Sequence, residues 1–390
     1  MPVKFQKGTT SKAREMAKEW ININLRTYAD KLKLGLPEYD DRLDCWRVPI
    51  RASRTSTESI GELRFSRDLD EEIGNTEVKL MVERIKQFAS NDSKSISTSS
   101  KSSIFIPAPV PNKVLYGDCI KVLDEFPSDT AQLIFTSPPY YNAKPEYSEY
   151  IDYQEYLNFL RSVILRCHAV LSEGRFFVIN VSPVLIKRSS RNTSSKRIAI
   201  PFDINKVFEE VGFEFVDDII WVKPEGAGWN LGRGRRFAAD RQPLQYKPVP
   251  VTEYILVYRK KSNRLIDWNI RNHYNQDLVA ESKIIGEYDR TNIWHIHPSS
   301  SRVHPAIFPE ELVEKVIRYY SFIDDLVLDP FAGSGTVGKV AYAMNRRFLL
   351  IEKERKYYEH MKSALQKSIP DSVRVDYEYY PDSLEDDHDN

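Results

Sequence analysis

A chain of 390 residues is long enough for one large α/β domain with a smaller companion and a sizeable buried core. Hydrophobic residues at 41% and charged residues at 29% are ordinary for a globular protein, and 56 basic against 56 acidic residues exclude a uniformly basic, nucleic-acid-coating surface. No stretch reaches the ~18 uninterrupted apolar residues of a membrane span, and Met1-Pro2-Val3-Lys4 opens no signal-peptide core, which predicts a cytoplasmic protein with no membrane partner.

Residues 1–88 read as a small α-rich unit of unassigned role. It holds a helix over 13–34, stopped at Gly35 and Pro37, a short strand over 46–50 and a second helix over 78–88. Residues 89–112 contain the Ser-rich run 90–103, nearly free of apolar side chains, and are expected to be a linker. From Lys113 to the end at 390, apolar runs alternate with helical patterns, the signature of βαβ units around a mostly parallel sheet. The expected strands are 114–116, 131–135, 176–181, 219–222, 253–258, 326–328 and 348–351. The expected helices are 153–170, 203–211, 309–320 and 337–344. Cys45, Cys119 and Cys167 lack metal-ligand spacing, so neither a zinc site nor a disulfide framework is expected.

Charge is uneven along the chain. Basic, Gly-rich and Pro-rich sequence at 183–250 interrupts the βα rhythm and reads as an insertion carrying recognition loops. It contains Lys187, Arg188 and Arg191, then Arg233, Arg235 and Arg236, the candidates for phosphate or groove contact. Acid is concentrated in the tail 381–390.

Asp329-Pro330-Phe331-Ala332-Gly333-Ser334-Gly335-Thr336 follows an apolar strand, where α/β sheets bind ligands. Its glycines permit close backbone approach, and the amides of the helix that follows face the same point. Glu352 ends the next strand, where an acid can take both hydroxyls of a ribose. Residues 333–340 nearly match a phosphate-binding loop through Gly338 and Lys339, but Val340 stands where a magnesium-binding hydroxyl is needed.

Thr136-Ser137-Pro138-Pro139-Tyr140 also follows an apolar strand. Two prolines remove two N–H donors and fix the turn, leaving a hydroxyl and carbonyls as a socket for an amino group. An exocyclic amine on a nucleobase is a poor nucleophile, because its lone pair is delocalised into the ring. Acceptors at Ser137 and Pro138 hold its protons and favour a pyramidal nitrogen, while Tyr140 offers a face on which an extruded base stacks.

With these two motifs in this order, residues 113–366 resemble the beta class of AdoMet-dependent DNA amino-methyltransferases. The resemblance implies a Rossmann-like methyltransferase sheet with an inserted target-recognition region, S-adenosyl-L-methionine as methyl donor and double-stranded DNA as partner. It assigns Ser137, Pro138, Pro139 and Tyr140 to catalysis. To cofactor binding it assigns Asp118, His304, Asp329, Phe331, Gly333, Ser334, Gly335, Thr336 and Glu352. Asp118 has an alternative role as a helix cap, and His304-Pro305 as a helix-entry turn. The Ser-Pro-Pro-Tyr form implies the N4 amine of cytosine, with adenine N6 as the alternative. It also implies a restriction-modification setting with a cognate endonuclease. A catalytically silent DNA-binding module is the reading from another class.

Overall fold

The computed structural model describes residues 7–40, 43–51, 59–92, 110–141, 152–186, 196–225, 243–244, 250–299 and 308–380. Residues 1–101 and 102–390 form two compact units.

The first unit is built on α1 (Lys7–Asn24), β1 (Lys33–Leu34), β2 (Glu38–Asp40), β3 (Cys45–Arg51), β4 (Ser59–Ser66), β5 (Glu72–Asn75) and α2 (Val78–Asp92). The α-rich expectation is corrected here, because a five-stranded antiparallel sheet in the order β1-β3-β4-β5, with β2 also on β3, forms its centre. The helix expected over 13–34 stops at Asn24, whose side-chain amide donates to the Trp20 carbonyl, and the chain then tightens into a 3-10 turn over Arg26–Lys31. Ala13, Ala17, Trp20 and Ile21 recur at helical spacing on α1 and are buried against Trp46, Val48 and Ile50 of β3. Helix α2 runs four residues into the expected linker; residues 93–109 lie outside the described ones.

The second unit opens with β6 (Asn112–Tyr116), α3 (Cys119–Leu123), β7 (Ala131–Thr136), α4 (Tyr153–Val170), β8 (Leu171–Val181), β9 (Val184–Ile186) and β10 (Lys196–Ile198). It continues through α5 (Ile200–Val211), β11 (Phe213–Val222), β12 (Thr252–Lys260), the short α6 (Trp268–Arg271) and α7 (Gln276–Glu281), and β13 (Ile293–His295). Helix α8 (Glu310–Tyr320), β14 (Leu326–Asp329), α9 (Thr336–Ala343), β15 (Arg347–Glu352), α10 (Arg355–Ser368) and β16 (Val375–Tyr379) complete it. Nine strands form one sheet in the order β13-β11-β12-β8-β7-β14-β15-β6-β16, and only β12 runs against its neighbours.

Helices cover both faces of this sheet. Leu115, Ile134, Leu349 and Ile351 pack with α4 and α5 on one side, while Val114, Leu133, Phe135, Phe348 and Leu350 pack with α8, α9 and α10 on the other. This alternation along strands buried on both faces is what parallel β-structure requires. Part of the expected insertion belongs to this core, since α5 and β11 lie within 183–250 and β11 pairs with both β12 and β13. Among the described residues no helix is long and apolar enough to cross a membrane.

Candidate active site at the carboxyl edge of the sheet

Strands β7, β14, β15 and β6 are consecutive and parallel, so Thr136, Asp329, Glu352 and Gly117 emerge along one edge. Side chains tie these ends together. The Thr136 hydroxyl donates to Asp329 Oδ1 at 2.6 Å, joining the Ser-Pro-Pro-Tyr turn to the Gly-rich loop across 193 residues of sequence. The Gly117 amide donates to the Glu352 carbonyl at 2.9 Å, which sets Asp118 beside the end of β15.

On the acceptor side, the Ser137 hydroxyl donates towards Asn180 of β8, with Oδ1 at 3.3 Å and the carbonyl oxygen at 3.4 Å. With its hydrogen turned that way, the Ser137 oxygen keeps lone pairs for an incoming N–H. The Pro139 carbonyl accepts the hydroxyl of buried Tyr156 at 3.0 Å. The Tyr140 hydroxyl reaches Glu253 Oε2 at 3.0 Å and Asn180 Oδ1 at 3.3 Å. Glu253, at the start of β12 and buried, is ion-paired to Lys223, whose ammonium lies 4.4 Å from the centre of the Trp221 ring. Tyr140 is thereby fixed at its polar end while its ring packs at the margin of the core. Asn180, Glu253 and Lys223 were missed as site residues by sequence reasoning.

On the cofactor side, Asp329 and Glu352 are both buried, at 2% and 8% exposure, and among the described residues neither has a cationic partner. Burial pushes the Asp329 carboxyl up to about 7 against the opposing pull of the Thr136 hydroxyl and Phe331 amide, and nearby Glu352 adds to the rise. Burial likewise raises Glu352, whose two oxygens accept the Gly333 amide at 2.7 Å and the Glu354 amide at 2.8 Å. The loop between them is shaped by Gly333 and Gly335, both at positive φ. A Cβ on Gly335 would lie 2.5 Å from Met361 Cγ. Ser334 and Thr336 hydroxyls meet at 3.0 Å, and Phe331 packs near Phe159. Two oriented, uncompensated carboxylates beside a tight glycine loop fit a ligand that carries positive charge and vicinal hydroxyls, as S-adenosyl-L-methionine does.

Asp118 is the N-cap of α3, accepting the Ile120 amide at 2.9 Å, and its other oxygen meets Lys353 at 3.2 Å. The phosphate-loop lookalike is put to other use. Gly338 lets α9 approach β15, where a Cβ would meet Leu350 at 2.5 Å, and Lys339 pairs with Glu310 while Val340 is buried. Trp221 is a core residue, its indole N–H bound to the Ile296 carbonyl at 2.8 Å. Phe308 stacks on Phe135 with ring centres 4.7 Å apart. His304 and the basic candidates Lys187, Arg188, Arg191, Arg233, Arg235 and Arg236 lie outside the described residues.

Comparison with known proteins agrees with this arrangement. The family model described as DNA methylase, covering N6 and N4 enzymes, matches residues 131–363. The type II methyltransferase M.BglII of Bacillus subtilis is 28% identical over 260 residues, covering 64% of this chain and 67% of the relative. The type II beta methyltransferase M.BslI of Bacillus sp. (strain NEB-606) is 29% identical over 260 residues, which cover 63% of this chain but only 27% of that longer protein. Among solved structures, TTHA0409 of Thermus thermophilus, a candidate DNA modification methylase, superposes with a TM-score of 0.54 at 27% identity, covering 68% of this chain and 98% of its own. The same protein solved with S-adenosyl-L-methionine gives a TM-score of 0.52, at 27% identity and with 68% of this chain and 97% of that one covered. Strand order, paired motifs and the extent of the match lead to one conclusion: this chain belongs to the N6/N4 DNA methylase family.

Proposed function

We propose that the chain transfers a methyl group from S-adenosyl-L-methionine to the exocyclic N4 amine of a cytosine flipped out of double-stranded DNA, within a restriction-modification system. The observation that carries this reading is the 2.6 Å hydrogen bond from Thr136 to Asp329, which couples an amine socket to a buried acidic loop on adjacent strands. The TTHA0409 complex supports the choice of methyl donor, and the type II relatives support the restriction-modification setting with a cognate endonuclease as partner.

When bound, S-adenosyl-L-methionine supplies an electrophilic methyl on a cationic sulfur. Asp329, Phe331, Gly333, Ser334, Gly335 and Thr336 would hold it, with Glu352 taking the ribose hydroxyls and Asp118 and His304 as further contacts. Ser137 Oγ and the Pro138 carbonyl would accept hydrogen bonds from the two amine N–H groups, withdrawing the nitrogen lone pair from ring conjugation and aiming it at the methyl; the new N–C bond replaces the methyl–sulfur bond and one amine proton leaves to solvent. Tyr140 stacks on the flipped base, and the ion pair of Glu253 with Lys223 keeps its ring in place. Arg188, Arg233 and their basic neighbours neutralise DNA phosphates.

A neutral hydroxyl and a carbonyl can hold the amine of cytosine or of adenine, and the Ser-Pro-Pro-Tyr form supports cytosine, so the base is the point to test. Nucleosides from DNA treated with the chain and methyl-labelled S-adenosyl-L-methionine should contain labelled N4-methylcytosine on mass spectrometry. Labelled N6-methyladenine instead would overturn the base assignment, and the absence of any labelled nucleoside would overturn methyl transfer to DNA.

A further inference from the structure

The N-terminal unit carries a groove of about 720 Å³ beside α1, floored by Ile21 and Leu32 and walled by Arg14, Lys18, Lys33 and Arg51. Among the described residues that line it none is acidic and none is aromatic. None of the four cations forms an ion pair with a described residue.

Two like-charge adjacencies build this groove independently. Arg14 and Lys18 stand one helical turn apart on α1, so their charges share a face, an arrangement that weakens a helix. Lys33 and Arg51 are direct partners across the antiparallel β1–β3 ladder, where like charges are also destabilising. Arg51 Nε is moreover buried without a hydrogen-bond partner, a desolvation cost that protein contacts leave uncompensated. A like-charge helix pair and a like-charge strand pair converge on one cleft, beside the unpartnered Arg51 Nε, and a bound anion offsets the repulsion within both pairs.

The lining also limits the kind of anion. Without an aromatic ring there is no platform for a base, which speaks against a free nucleotide. Charges spread over three elements, α1, β1 and β3, suit successive phosphates of a polymer better than one phosphate gripped at a single point. We propose that this groove is a second DNA contact, holding the phosphodiester backbone without reading sequence.

The test uses the full chain and a fluorescently labelled duplex, with anisotropy followed across a salt series. Arg14, Lys18 and Lys33 are exposed, so Arg14→Gln/Lys18→Gln/Lys33→Gln should fold. It should reduce the log–log salt slope by about 2–3 and weaken binding at 50 mM salt by about tenfold or more, while Lys18→Gln alone should reduce the slope by about one. A control triple variant at exposed cations outside the groove, Arg67→Gln/Lys79→Gln/Lys86→Gln, should behave as wild type. Slopes and affinities for the groove variant that match the control would overturn the proposal. So would a groove variant that binds duplex normally but has lost wild-type calorimetric binding of inorganic pyrophosphate, which assigns the groove to a small free anion. Because binding is read rather than methyl transfer, the result is independent of which base is methylated.

Discussion

The two halves of the candidate active site handle charge in opposite ways. On the cofactor half, Asp329 and Glu352 are buried without a cation among the described residues, and burial raises both. On the acceptor half, the one buried carboxylate among the described residues, Glu253, is already neutralised by Lys223, and Ser137 and the prolines are uncharged. The difference matches the two molecules each half is proposed to hold. A cationic methyl donor supplies the charge its side lacks, whereas a neutral nucleobase meets a side that needs none. The Thr136–Asp329 bond is where the halves meet.

Emptying the cofactor half should have a large effect. Asp329→Ala is expected to weaken S-adenosyl-L-methionine by about 10–100-fold in calorimetry, the loss of a charged hydrogen-bonding group, with DNA affinity retained. Unchanged cofactor affinity would break the comparison. On the other half, Tyr140→Ala should lower single-turnover methylation by roughly 5–100-fold through lost stacking and leave cofactor affinity intact; turnover at the wild-type rate would remove the stacking role.

Proton linkage gives the next effect. A cationic ligand prefers the Asp329 carboxylate, so cofactor affinity should hold steady above the raised value of about 7 and weaken below it by at most about tenfold per pH unit. The sign reverses for folding of the unliganded protein. Between an unfolded carboxyl near ~3.9 and the folded value, the native state binds more protons, so stability falls as pH rises through that window. Asp329→Asn should flatten the decline in urea midpoints between pH 5 and pH 8; an unaltered decline would assign it to other groups. The smallest effect belongs to the Tyr140 anchor. Tyr140→Phe and Glu253→Ala should each cost about 2–10-fold in turnover, and their combination should cost little more than either, since both break one hydrogen bond. Full additivity would separate Glu253 from Tyr140.

The methylase sheet was largely legible because its strands are continuous apolar runs, such as Leu133, Ile134 and Phe135, ended by distinctive turns. The N-terminal sheet was not. β2 and β5 are short and lack buried residues, and in β4 Gly61 takes the inward position in step with Leu63 and Phe65 without an apolar side chain, while Ile60 is buried out of step with them. That glycine is needed because a Cβ there would lie 2.6 Å from Met81. The motif residues of the site were readable as local strings. Asn180, Glu253 and Lys223 were not, because Asn180 and Glu253 reach Tyr140, and Lys223 reaches Glu253, only once β8, β11 and β12 are paired, and nothing local distinguishes them from other polar residues at strand margins. Asp118 shows the converse, a residue whose capping role is local and plain in the structure.

The division of labour between the halves is tested most directly by Ser137→Ala, measured in parallel for cofactor binding and for a single turnover on DNA. The account predicts that S-adenosyl-L-methionine affinity stays at the wild-type value while methyl transfer falls by about 100-fold or more, as expected when a group acting on the reacting atoms is removed. Methyl transfer at an undiminished rate, or a parallel collapse of cofactor binding, would contradict it.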